Sequence, residues 1–260
     1  MITVESHDGV AVFHLQHGKA NALDTEFCEA LVARLAEHRA GPSRAVVLTG
    51  QGRIFCAGVD LLRVLEGGRP YIERFMPALT RAFGAVAFHP KPLVAAINGH
   101  AIAGGCVIAC GADHRMMASG AGRIGVPELL VGVPFPTIAL ELMRFVAPQA
   151  LRSLLYGGDT CAPEVALQCG LVDAVVEPES LLSQAIAHAR ALAGLSVAPF
   201  ELTKQQVLEP LARRVREEGP HVDAIVSEVW ATPAVMASIR GYVERTFKPP
   251  SSIVSHKDPT

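Results

Sequence analysis

Two short stretches of this sequence set small residues where backbone amides could do chemistry. Phe55-Cys56-Ala57-Gly58-Val59-Asp60-Leu61 comes soon after a β-rich run at residues 44–50. Ile97-Asn98-Gly99-His100-Ala101-Ile102-Ala103-Gly104-Gly105-Cys106 follows a similar run at 92–98 and opens a helix. Each puts N–H groups, unhindered by large side chains, at the carboxyl end of a strand. Two such donors converging could hold an oxyanion developing on a carbonyl, and the N-terminus of the second helix would add its positive dipole. Glycine here also serves tight turns and close helix–strand packing, so either stretch alone leaves both readings open.

Other chemistries find less support. Gly120-Ala121-Gly122-Arg123-Ile124-Gly125 has the letters of a dinucleotide fingerprint, but Pro127 follows at once and no ribose-binding acid stands about twenty residues on. It reads as a glycine-rich turn. No Gly-x-Ser-x-Gly elbow, P-loop or His-Glu-x-x-His motif occurs. The ten histidines form no ligand cluster, and His14 and His17, read on one strand, point to opposite faces. Hydride transfer, serine hydrolysis and zinc catalysis lose their usual support, and no metal is expected.

The two turns need a scaffold. Residues 10–16, 44–50, 92–98, 114–118 and 171–177 are strand-like, and 24–39, 71–88 and 136–155 carry helical spacing between them. Alternation of this kind predicts right-handed βα units in an α/β body. From residue 196 onward the pattern is helical only, over 201–217, 221–232 and 233–247. The expected division is a body of residues 1–195 and a helical region of 196–260 whose Pro/Ser-rich end, 248–260, frays. In the helix at 233–247, Val235, Met236, Ile239, Tyr242 and Val243 form one apolar side, expected to meet a neighbouring subunit.

Half of the 260 residues are hydrophobic and only 18% are charged, below the roughly 25% of an average soluble domain. A packed core is assured, and part of the charge-poor surface is expected to lie between subunits. The net charge of −2 provides no field for nucleic acid. The apolar stretch 92–112 is broken by Asn98, His100 and several glycines, and the N-terminus shows no basic region or cleavage site. No membrane partner is expected. The six cysteines form no Cys-x-x-Cys and read as reduced thiols of a cytoplasmic protein.

Taken in order, Lys19-Ala20-Asn21-Ala22-Leu23, the two glycine turns, Gly125-Val126-Pro127-Glu128 and residues 166–176 resemble the crotonase (enoyl-CoA hydratase/isomerase) superfamily over nearly the whole chain. The resemblance implies an α/β spiral of ββα units followed by a helical trimerisation region, assembled as a homotrimer or a dimer of trimers. It implies an acyl-CoA thioester as substrate, with coenzyme A part of that substrate and no separate cofactor. The thioester oxygen would be held by the backbone N–H groups of Val59 and Gly104. Lys19, Ala20, Ala22 and Leu23 match the segment that wraps CoA, while Cys56, Ala57, Asp60 and Leu61 would line the groove. Tyr242 and Arg245 match positions that reach a neighbour's CoA.

Hydratases of this family carry two glutamates. Glu128 stands at one of the two positions, with Val126, Leu129 and Leu130 expected to flank it, and Val107 occupies the other. Addition of water needs one group to activate the water and another to share the proton traffic. Valine can do neither. The Δ3,Δ2-enoyl-CoA isomerases of the superfamily likewise keep one glutamate and an apolar residue, and Gly132-Val133-Pro134-Phe135-Pro136 adds apolar cover here. The resemblance therefore implies an isomerase that shifts a 3-enoyl-CoA to a 2-enoyl-CoA. A hydratase, another crotonase-type CoA chemistry and a catalytically silent CoA-binding subunit are the alternatives.

Overall fold

A computed structural model describes residues 1–247; the expectation for 248–260 lies outside the described residues. In chain order the elements are β1 (Ile2–His7), β2 (Val10–Leu15), α1 (Thr25–Ala40), β3 (Ala45–Thr49), β4 (Ile54–Cys56), α2 (Leu61–Ala87), β5 (Leu93–Ile97), β6 (His100–Ile102), α3 (Gly104–Cys110), β7 (His114–Ala118), β8 (Ile124–Gly125), α4 (Glu128–Val131), α5 (Thr137–Val146), α6 (Leu151–Gly157), β9 (Thr160–Cys161), α7 (Pro163–Gln168), β10 (Ala174–Val176), α8 (Leu181–Ala193), α9 (Val197–Glu217), α10 (Gly219–Trp230) and α11 (Pro233–Phe247).

From β3 to β8 successive strands alternate between two sheets, which makes the spiral. The larger runs β1-β2-β3-β5-β7-β10 and the smaller runs β4-β6-β8-β9. All pairs in the larger sheet are parallel except the hairpin β1–β2, whose Asp8-Gly9 turn has both φ angles positive, as a tight two-residue connection requires. Strand alternation divides the core. Val10 and Val12, Ala45 and Val47, and Val94 and Ala96 face α8, where they meet Leu181, Ala185 and Ala189. Phe13 and Leu15, Val46 and Leu48, and Ala95 and Ile97 face the larger core beneath α1, α2 and α3.

Three expectations change. The helix expected at 71–88 begins at Leu61, because Asp60 caps it by accepting from the Arg63 N–H at 3.1 Å, and the chain crosses Gly67-Gly68 with a kink at Gly68 (φ 54°). The stretch 136–155 is two helices, α5 and α6, broken where Pro148 can donate no backbone hydrogen bond. His17 lies beyond the end of β2, so the strand geometry assumed for His14 and His17 does not apply.

The apolar side of α11 is covered in part by its own chain: Ile239 is fully buried, with Val235, Met236, Tyr242 and Val243 packed around it against the larger core. The helix lies on α2 and α4, with the four residues around Ile239 only half-buried. No single described helix is long and apolar enough to cross a membrane.

Candidate active site

The two glycine turns abut. A Cβ built at Gly58 (φ 88°) would lie 2.7 Å from the Ala103 Cβ and 2.8 Å from the Ile102 carbonyl oxygen. One built at Gly104 would lie 2.6 Å from the Leu23 Cδ1 and 3.9 Å from the Gly58 Cα. Only a residue without a side chain fits at Gly58, on both space and conformation. Ala103, the residue before α3, has a φ of 53°, a strained angle of the kind that clusters at functional sites. Among the described residues, neither the Val59 nor the Gly104 N–H has a hydrogen-bond acceptor, and both residues line the cavity described below.

The loop between β2 and α1 braces this arrangement. Asn21 accepts from the His17 N–H at 2.8 Å and donates to the Phe55 carbonyl at 3.0 Å. The Ala57 N–H donates to Ala20 at 3.0 Å, Leu23 donates to Gly58 at 2.8 Å, and Asp60 donates to Leu23 at 3.0 Å. Asn98 performs the same service beneath the turns, accepting from Gly50 at 2.8 Å and donating to Gly52 at 2.9 Å.

A cavity of about 410 Å³ opens beside the turns. Of the residues singled out from the sequence, Lys19, Ala20, Ala22, Ala57, Val59, Asp60, Leu61, Gly104, Val107, Glu128 and Tyr242 line it. Three do not. Leu23 is fully buried, a strut whose backbone holds the first turn while its side chain packs against the second. Cys56 is fully buried at the end of β4, its thiol pushed up to about 12 by burial. Arg245 is exposed near the end of α11. Tyr242, matched to a position that reaches a neighbour, lines the cavity of its own chain.

Val133, Pro134, Phe135 and Pro136 supply the expected apolar cover. Leu79, Phe83 and Trp230 in the wall were not singled out from the sequence, nor was His17 at the rim, where its Nε2 sits 2.7 Å from Asp24 and its ring stacks on Phe27. Trp230 carried a weak signal as the chain's one tryptophan.

Glu128 is the chemically distinctive group. Its Oε2 is buried without a hydrogen-bond partner among the described residues. Burial pushes the carboxyl up to about 8, because the charged form loses hydration and gains no counter-ion. Val126 beneath it is buried as expected, but Leu129 and Leu130 turn to solvent, so the apolar surroundings come from cavity-lining residues such as Val107, Val131 and Val133. Asp60, the other carboxylate in the lining, is engaged as the cap of α2. The arrangement offers two free amide donors and one proton-accepting carboxylate in an apolar cavity.

Residues 5–250 match the enoyl-CoA hydratase/isomerase family. A Thermus thermophilus protein whose name places it provisionally among the enoyl-CoA hydratases is 34% identical over 255 residues, covering 96% of this chain and 99% of its own. The crotonyl-CoA hydratase of Syntrophomonas wolfei is 30% identical over 226 residues, covering 85% of this chain and 83% of its own. Among solved structures, human mitochondrial Δ3-Δ2-enoyl-CoA isomerase is similar with a TM-score of 0.88 at 28% identity, over 94% of this chain and 97% of that one. By a match that takes in both turns, Glu128 and the helices after them, the chain belongs to the enoyl-CoA hydratase/isomerase family of the crotonase superfamily.

Proposed function

We propose that this chain is an enoyl-CoA isomerase, moving the double bond of a 3-enoyl-CoA to position 2 with Glu128 as its one base. The observation that carries this reading is Val107. It is 1% exposed, lines the cavity, and stands where a hydratase would present its second carboxylate. An apolar wall gives a water no purchase, since a buried water needs two to four polar partners.

The thioester oxygen would accept hydrogen bonds from the Val59 and Gly104 N–H groups. The Glu128 carboxylate takes a proton from C2, and the negative charge moves onto the thioester oxygen as the enolate. Losing one such donor costs on the order of 2.7–4 kcal/mol of transition-state stabilisation, so this electrostatic contribution is large. The protonated carboxyl then returns the proton to C4 as the double bond settles between C2 and C3. A carboxyl near 8 suits both halves, because it is basic enough to accept the proton and acidic enough to give it back near neutral pH.

The names of the relatives favour a second reading, hydration of a 2-enoyl-CoA. The conjugated thioester absorbance separates the two. Isomerisation of a 3-enoyl-CoA is expected to exceed hydration of crotonyl-CoA by a wide margin. Faster hydration would make the chain a hydratase, and binding with neither turnover would make it a silent CoA-binding subunit.

Assembly as a homotrimer or dimer of trimers belongs to the same reading. On α9 only Leu211 is buried, while Val197, Leu202 and Val207 are each more than half exposed, apolar surface that a second copy would cover in part. Arg245, exposed on α11, would reach a neighbour's CoA. Sedimentation is expected to give a trimer or hexamer mass.

A further inference from the structure

The cavity has an open end and a closed one. Gly18, Lys19 and Ala57 are exposed to solvent, whereas Leu79, Phe83, Ala139 and Trp230 are each only 2% exposed or less deeper in. Trp230 closes α10. Its indole N–H donates to the Pro134 carbonyl at 3.0 Å, which satisfies the ring's one polar group and fixes its plane, leaving an apolar surface toward the cavity. The helix that carries it is held at two further points. Asp223 accepts from both the backbone N–H and the hydroxyl of Thr137 at 2.7 Å, and Glu228 accepts from Arg69 of α2 at 2.9 and 3.0 Å. A substrate long enough to press on this wall would have to move a side chain bonded to the segment that runs on from Glu128.

We propose that Trp230 is the specificity-determining end wall of the acyl cavity and confines this chain to short and medium acyl-CoA thioesters. The inference rests on reading the cavity as an acyl-CoA site, and is independent of which reaction occurs there. A cavity of roughly 150 Å³ takes a benzene-sized molecule, so one of 410 Å³ holds about sixteen non-hydrogen atoms. With about six of them in the thioester and the cysteamine beside it, about ten acyl carbons remain.

Calorimetric titration with saturated acyl-CoAs separates the wall from the chemistry, because these thioesters bind without a double bond to move. Below micelle-forming concentrations, wild type is expected to bind an eight-carbon acyl-CoA at least about tenfold tighter than a sixteen-carbon one. Trp230→Ala is expected to bring that ratio to about one or to reverse it, with Trp230→Phe between the two. Wild type that binds both chains equally overturns the proposal, and so does a folded Trp230→Ala that keeps the wild-type ratio. Should the alanine variant fail to fold, a Trp230→Phe ratio identical to wild type overturns it equally. Failure of the isomerase reading has a different signature: no turnover of any 3-enoyl-CoA, with the preference for the shorter chain intact.

Discussion

Glu128 and Glu141 stand one helix apart and are treated in opposite ways. Glu141, on α5, is 4% exposed and pairs with two arginines, accepting from the Arg144 Nε at 3.3 Å and lying 3.1 Å from the Arg214 Nε. Glu128 opens α4 over the cavity with a buried oxygen, Oε2, that no donor among the described residues reaches. A carboxylate buried for structural reasons is paired, because an uncompensated charge in an apolar setting costs several kcal/mol. One kept without a partner in a cavity destabilises the fold, and the return on that cost is a proton acceptor whose basicity is raised by its surroundings. The contrast marks Glu128 as the working group and Glu141 as a fastening.

The sharpest way to break the contrast is to neutralise each glutamate in turn. Glu128→Gln is expected to lower kcat for a 3-enoyl-CoA by about 10⁴-fold, the upper range for a lone general base, while acyl-CoA binding persists. Glu141→Gln is expected to leave kcat within a few-fold. Comparable losses in steady-state assays of the two variants would erase the distinction.

A second variant asks whether the base acts with the turns or alone. Gly58→Ala forces a side chain against Ala103 and the Ile102 carbonyl at a positive φ, which displaces the Val59 N–H. A fall in kcat of about 10²–10³-fold is expected, with Glu128 untouched. Full activity would remove the Val59 amide from the mechanism.

The smallest effect is on stability, and its sign differs between the two glutamates. A carboxyl whose folded pKa stands near 8, above the ordinary 4.5, favours the fold at low pH and loses that contribution as pH climbs from about 4.5 to 8. At pH 8, Glu128→Gln is therefore expected to stabilise the protein by about 1–3 kcal/mol, and Glu141→Gln to destabilise it by about 1 kcal/mol through its lost ion pairs. Thermal unfolding of both variants at that pH reads the signs directly.

Much of this was legible from residue types. Most strands of the larger sheet declare themselves as apolar runs, though the edge strand β1 (Ile2–His7), with one buried residue, went unread, and both turns declare themselves through glycine. The smaller sheet does not, because strands of two or three residues such as Ile124–Gly125 carry no periodicity. Helix α8 escaped because its buried stripe, Leu181, Ala185 and Ala189, is mostly alanine, and the start of α2 because Gly67-Gly68-Arg69-Pro70 reads as a break. In the site, Glu128 and Val107 were found through the family pattern, but the absence of a partner for Glu128 is a property of packing. Leu79, Phe83 and Trp230 were hidden for a related reason: the wall of a cavity has the same helical stripe as a solid core. That Leu23 is a buried strut and not part of the lining could not be read from the sequence, because both kinds of residue occupy the same motif.

The pH dependence of kcat/KM for a 3-enoyl-CoA, followed from pH 5 to 9.5, tests most directly the claim that an unpartnered Glu128 is the base. The free protein must carry the carboxylate, so kcat/KM is expected to rise about tenfold per pH unit at low pH and level off with an apparent pKa near 8. A profile that is flat across this range, or that levels off near the ordinary carboxylate value, would contradict the account.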